Sequence, residues 1–218
     1  MSEVLPRPDH QRILAATPRR GEIAVLAPGT RITRLHRIAG ARTLRWDEFR
    51  TWGPTTSRFD HHPEPAGNHP GHGILYAAIG TGAFTTVIAE TFSAGQQAVG
   101  PIDRSDRRPT ITVFELAAGL RLLRLEGGWV TRAGGNQAIC SGVRATSRLW
   151  AREIYACYPD LDGVSYVSSV WGGGACVALF ERAGRALPPS PIASRTLDDP
   201  AMFDALGAAA FDLGVALL

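Results

Sequence analysis

Lysine is missing altogether: all 23 basic residues of this 218-residue chain are arginine. A Schiff-base lysine and the lysine of a Walker-type phosphate loop are therefore excluded, and whole classes of enzyme with them. GC-rich coding is the plain origin of such a bias. Its chemical result is that phosphate or carboxylate recognition falls to guanidinium groups, which bind these anions bidentately. Cysteine is scarce and odd in number. Cys140, Cys157 and Cys176 are widely spaced, form no metal-type pair and suggest no disulfide framework. Cys157 and Cys176 have apolar neighbours and read as small buried hydrophobes. No apolar run approaches the roughly 18 residues of a membrane-spanning helix. The polar start, Met1 to His10 with Pro6 and Pro8, shows no secretory signal, so a cytoplasmic protein without membrane contact is expected. Also absent are a Gly-x-Gly-x-x-Gly between strand and helix, a His-Glu-x-x-His and a Gly-x-Ser-x-Gly. The run Gly172 to Gly174 precedes a strand and so lacks the helix dipole that holds phosphate.

The residues present describe an ordinary globular chain. The hydrophobic share is 44% and the charged share 20%, which argues against disorder and for one domain with a sizeable core. A short helix is expected within residues 10 to 20; Ile23 to Leu26 then lead to a turn at Pro28-Gly29, and an arginine-rich strand follows within Thr30 to Ile38. The stretch from Ala39 to Gly73 is polar and rich in breakers, and loops of that length are often functional. Strands follow at Ile74–Ile79, Ile111–Leu116, Arg121–Leu125, Val164–Ser168 and Ala175–Phe180. Helices are expected over Ala83–Phe92, over Ser147–Cys157 with Trp150 on the apolar stripe, and over Met202–Leu218. Trp129 to Ser141 reads as irregular. Strands and helices mix without a βαβ rhythm, which predicts an α+β fold rather than a doubly wound sheet. His61, His62, His69 and His72 read as part of a solvated Pro/Gly-rich loop rather than a zinc site, and no metal is expected. The net charge of +3 and a pI near 9.0 fit nucleic-acid binding only weakly, because the arginines are scattered. No direct nucleic-acid contact is expected.

Six short pieces stand in a fixed order: Arg34 to Ile38, Ser57 to Asp60, Leu75 to Ala78, Ala89 to Phe92, Ser147 to Arg152, and Asp162 to Tyr166 running on to Ser168-Ser169. This arrangement resembles the RES domain family over roughly residues 30 to 182, with extensions at both ends of a single domain. The resemblance implies a mixed sheet flanked by helices, similar to the ADP-ribosyltransferase-like fold. It implies an NAD-degrading toxin, a glycohydrolase or phosphorylase. No cofactor would be needed: NAD is the substrate, with inorganic phosphate a possible co-substrate. It also implies pairing with a helix-turn-helix (Xre-type) antitoxin; a homo-oligomer is left open. The family arginine falls on Arg37, behind His36 where tyrosine is frequent. The second arginine falls on Arg58, the tyrosine on Tyr76 and the glutamate on Glu90. The serine falls on Ser147, with Ser141 as its competitor.

The chemistry can be argued from the residues beside that resemblance. Cleaving nicotinamide from ribose passes through an oxocarbenium-like centre, and the leaving group departs neutral. A carboxylate is required to stabilise the positive charge and to orient the ribose hydroxyls or the nucleophile. Glu90, among Val87, Ile88, Ala89 and Phe92, is expected to be a partly buried carboxylate that needs a partner. Arg37 and Arg58 would clamp a diphosphate. Tyr76 would stack on the nicotinamide or ribose. Ser147 would cap a helix, and that role is compatible with meeting phosphate at the helix N-terminus. Two other readings remain: a protein ADP-ribosyltransferase, and a non-catalytic module that binds a nucleotide or nucleic acid.

Overall fold

In β5 (Ile74–Ile79), Ile74, Tyr76 and Ala78 turn to one side, while Leu75 and Ala77 turn to the other. This period-two alternation recurs in β9 (Ala175–Phe180) and β7 (Leu120–Arg124), so the sheet is buried on both faces. The computed structural model describes residues 4–93 and 98–218. The same sheet takes in β1 (Ile23–Leu26), β2 (Arg31–Arg37), β6 (Pro109–Glu115), β8 (Gly163–Val167) and β10 (Ala193–Thr196). Its eight strands lie in the order β1-β7-β8-β9-β5-β2-β6-β10. Neighbours run antiparallel except for the parallel pair β7–β8, which makes the sheet mixed. Gly163 is required where β8 meets β9, because a Cβ there would lie 2.3 Å from the Ala178 carbonyl oxygen.

One face of the sheet carries two separate apolar clusters. The first gathers α1 (His10–Ala15), α3 (Gly128–Arg132), α4 (Ala138–Ser141) and α5 (Arg144–Cys157) around the fully buried Trp129 and Trp150. The second packs α2 (Ala83–Phe92) against α6 (Phe203–Leu213) around Ile88 and Leu206. The opposite face is covered by Trp46 and Phe49 from the long loop and by Ala183 and Ala186. The fold is therefore α+β, a single domain with a mixed sheet flanked by helices.

Several boundaries differ from the sequence reading. The stretch 129–141 is not irregular: it holds α3 and α4, both too short for a 3.6-residue pattern to emerge. Helix α5 begins at Arg144, with Val143 as its N-cap, so Ser147 lies one turn inside and caps nothing. The last helix stops at Leu213, where Gly214 adopts φ +66. The 39–73 loop contains a two-stranded ribbon, β3 (Trp52–Gly53) with β4 (Gly67–Asn68).

Two of its histidines are not solvated as expected: His61 and His62 are buried, while His69 and His72 are partly exposed. Asp60, buried completely, accepts from the Thr55 backbone N–H at 2.6 Å and its hydroxyl at 2.7 Å, pairs with Arg50 at 3.0 Å and contacts His62. A carboxylate in that position demands partners, and it draws the loop inward to supply them.

Candidate active site

Strands β2 and β5 are neighbours in the sheet but share only two registered pairs, Ile32–Ile79 and Thr33–Ala78. Beyond these they part, each continuing its ladder with the strand on its far side, β6 or β9. The gap faces the divide between the two helical clusters. A cavity of about 230 Å³ opens there, walled by Arg37 of β2, Tyr76 of β5, Tyr166 of β8, Glu90 of α2, Arg58 of the long loop and Arg144 of α5. A neighbouring chamber of about 280 Å³ shares Leu35, Arg37 and Tyr76 with it and adds Arg34, Arg42, Arg50 and Arg107.

Glu90 reaches the wall because α2 is held by its opposite side. Val87, Ile88 and Ala89 are buried against the sheet and α6, which leaves Glu90 half-buried at the cavity. Gly82, at φ +82, makes the turn that lets α2 start directly after β5. One carboxylate oxygen of Glu90 accepts a hydrogen bond from the Ser168 hydroxyl at 2.6 Å. That hydroxyl itself accepts from the backbone N–H groups of Val170 at 3.2 Å and Trp171 at 3.0 Å. A serine has one proton and two lone pairs, so the two amides leave the proton committed to Glu90. The carboxylate is thereby oriented.

Arg58 is almost fully buried and is pinned by its neighbour Phe59, whose ring packs 4.6 Å from that of Tyr166. One of its terminal nitrogens donates to the Gly142 carbonyl at 2.6 Å and approaches the Ser147 hydroxyl at 3.4 Å. Burial, then the nearby Arg144 charge, lower its pKa, while the charge of Glu90 opposes the shift. Arg37 pairs with Asp106 at 3.3 Å. Its Nε is buried without a hydrogen bond, so it keeps donor capacity at the cavity. Burial, then repulsion by Arg107, depress its pKa as well. Burial, reinforced by Asp60, raises the pKa of the Tyr76 phenol far above its ordinary value. Burial does the same for Tyr166 and Cys176, with the Glu90 charge adding to both. These three groups stay protonated and are not nucleophiles at neutral pH. Three guanidinium groups thus face one carboxylate in a cavity otherwise walled by neutral side chains, an arrangement suited to an anionic ligand with a cationic reacting centre.

Arg37, Arg58, Tyr76 and Glu90, spread over 54 positions of sequence, line one cavity. Ser147 does not join them. It is fully buried behind Arg58, and its hydroxyl donates to the Ile139 carbonyl at 2.9 Å. Ser141 is exposed at the end of α4, away from the cavity wall. His36 points to the other side of β2, bonded to the Leu44 carbonyl at 2.9 Å and the Thr112 hydroxyl at 3.0 Å. Sequence reasoning assigned no role to Ser168, Ser169, Tyr166 and Arg144. A signal for the first two was available: a serine pair placed directly after a buried strand, at an open strand end.

Among protein families, the RES domain matches residues 34–201. No curated protein matches the sequence. Among solved structures, a chain in the crystal structure of the M. tuberculosis MbcT–MbcA toxin–antitoxin complex has a similar fold, with a TM-score of 0.55 and 14% identity. That alignment covers 91% of this chain and 96% of the other. At such identity the likeness speaks for the fold alone. The family match spans every strand from β5 to β10 and all but the start of β2, and on that extent the chain belongs to the RES domain family.

Proposed function

We propose that the protein cleaves the nicotinamide–ribose bond of NAD, with Glu90 as the group that stabilises the reacting carbon. The observation that carries this reading is the Ser168-oriented carboxylate of Glu90 in a cavity that also holds Arg37, Arg58 and Tyr76. The cavity is smaller than the roughly 300–1,000 Å³ of sites that enclose a drug-sized ligand. It would take the nicotinamide riboside end and the start of the diphosphate, and the arginine-rich chamber beyond Arg37 and Tyr76 would receive the rest of the dinucleotide.

In this mechanism the C1′–N bond breaks with its electron pair going to the pyridinium nitrogen, so nicotinamide leaves neutral and needs no acid. Positive charge develops on C1′ and the ring oxygen, and Glu90 stabilises it from the cavity wall. Arg37 and Arg58 hold the diphosphate and Tyr76 packs against the ribose or nicotinamide. The acceptor is water, giving ADP-ribose, or inorganic phosphate, giving its 1″-phosphate. The similar fold in a toxin–antitoxin complex supports the further reading that the chain is a toxin neutralised by an antitoxin, which the family resemblance would make one of the helix-turn-helix (Xre) type.

The test is nicotinamide release from NAD by the purified protein, with and without phosphate, and chromatography of the second product. Glu90→Gln is expected to slow release by about 10²–10³-fold, the usual loss when one preorganised electrostatic group is removed. Equal rates for the two proteins would sink the proposal. A labelled protein band with little free ADP-ribose would instead point to ADP-ribosyl transfer to protein. Salt-sensitive binding that leaves NAD intact would point to a non-catalytic module.

A further inference from the structure

Outside both cavities, where α1 packs on α5, three metal-ligating side chains meet. Glu153 and Cys157 stand four residues apart on α5 and so share a face. Asp9 caps α1 by accepting from the Arg12 N–H at 2.8 Å, which makes His10 the first residue of that helix. His10 Nδ1 lies 2.7 Å from Glu153 Oε2 and 3.6 Å from Cys157 Sγ, and all three ligand atoms lie within 4.8 Å of one another. Among the described residues this is the one such grouping of histidine, cysteine and acid. It is held in place by contacts that need no ligand. Ile13 is fully buried beneath α1, and the Trp150 indole donates to the Pro6 carbonyl at 2.8 Å, tying down the segment that leads into the helix.

We propose that His10, Glu153 and Cys157 bind a zinc ion, with water as the fourth ligand. Ordinary zinc bond lengths at tetrahedral angles imply about 3.6 Å between nitrogen and sulfur, and about 3.4 Å between nitrogen and oxygen. The first matches the observed 3.6 Å. The second requires the flexible Glu153 side chain to open its 2.7 Å contact by about 0.7 Å. A thiolate with an imidazole selects zinc over magnesium or calcium, which prefer all-oxygen shells. The thiol is not poised for nucleophilic chemistry, because burial and then the Glu153 charge raise its pKa. On zinc binding the sulfur–hydrogen bond breaks, sulfur keeps the electron pair, and one proton passes to solvent. The site clasps the N-terminal segment to α5, the helix that also carries Arg144. It is independent of the proposed NAD chemistry.

Titration of the intact, metal-free protein with cobalt(II), followed by zinc competition, tests the assignment. One equivalent is expected, with the near-ultraviolet thiolate-to-cobalt absorption that zinc abolishes. His10→Ala alters an exposed side chain and is expected to weaken binding at least tenfold without changing the circular dichroism spectrum. Cys157→Ser is expected to remove the thiolate absorption. A His69→Ala/His72→Ala double variant is expected to bind like the parent. Absence of the thiolate band in the parent, undiminished affinity in His10→Ala, or loss of binding in the double variant in place of His10→Ala would each overturn the proposal.

Discussion

Two carboxylates flank the central strands and have opposite surroundings. Asp60 is wholly buried and surrounded by donors: the Thr55 amide and hydroxyl, Arg50 and His62. Glu90 is half-buried, takes one hydrogen bond from Ser168, and otherwise faces open space among arginines. Burial alone would raise the pKa of Asp60, but the hydrogen bond from His62, the Arg50 charge and the Thr55 bonds hold it well below the usual carboxylate range. The contrast separates structure from chemistry. A buried acid whose bonds are all made fastens the loop that carries Arg58. An oriented acid with spare capacity at a cavity can act on a ligand.

The comparison can be broken most forcefully at Asp60. Removing one partner of a buried ion pair strands the others, so Asp60→Asn is expected to cost about 3–5 kcal/mol in urea unfolding. A change below about 1 kcal/mol would mean that Asp60 is not the fastener.

The two serines sharpen the other side. Ser168→Ala removes the hydrogen bond to a charged oxygen, worth about 1.5–3 kcal/mol, and is expected to lower kcat for nicotinamide release by about ten- to a hundredfold with little change in KM. Ser147→Ala removes a buried bond to a carbonyl and is expected to cost about 1 kcal/mol of stability while leaving kcat within about twofold. The reverse pattern, with Ser147 controlling kcat, would restore Ser147 as the functional serine.

The smallest effect concerns Glu181 on the histidine side. Burial opposes its ionisation, yet the His61 ring 3.7 Å away and hydrogen bonds from the Tyr155 hydroxyl and the Gly73 amide bring its pKa down to about 2 from an ordinary 4.5. A folded-state pKa below the unfolded one contributes stability above pH 4.5, lost as the pH falls from there to about 2. Glu181→Gln should therefore flatten the fall in melting temperature across that window, as measured by circular dichroism. An unchanged slope would remove Glu181 from the acid response.

By itself the sequence determined most strands of the large sheet, though not β10, and the long helices. Ile74–Ile79, Ala83–Phe92 and Ala175–Phe180 are recovered residue for residue, because short continuous apolar runs and Gly80–Gly82 are local signals. The arginines, Tyr76 and Glu90 were legible through residue type and order. Tertiary structure alone decided that β2 and β5 part after two pairs and so create the cavity, since register depends on both neighbours of each strand. It also decided which serine meets Glu90. Ser147 and Ser168 are equivalent in a sequence, but only Ser168 has its lone pairs occupied by two amides at the open end of β8, and 78 residues separate it from its partner. The same distance argument hid His10 from Glu153, 143 positions away. Local physics writes elements into a sequence; which polar groups end up face to face is settled by packing of the whole chain.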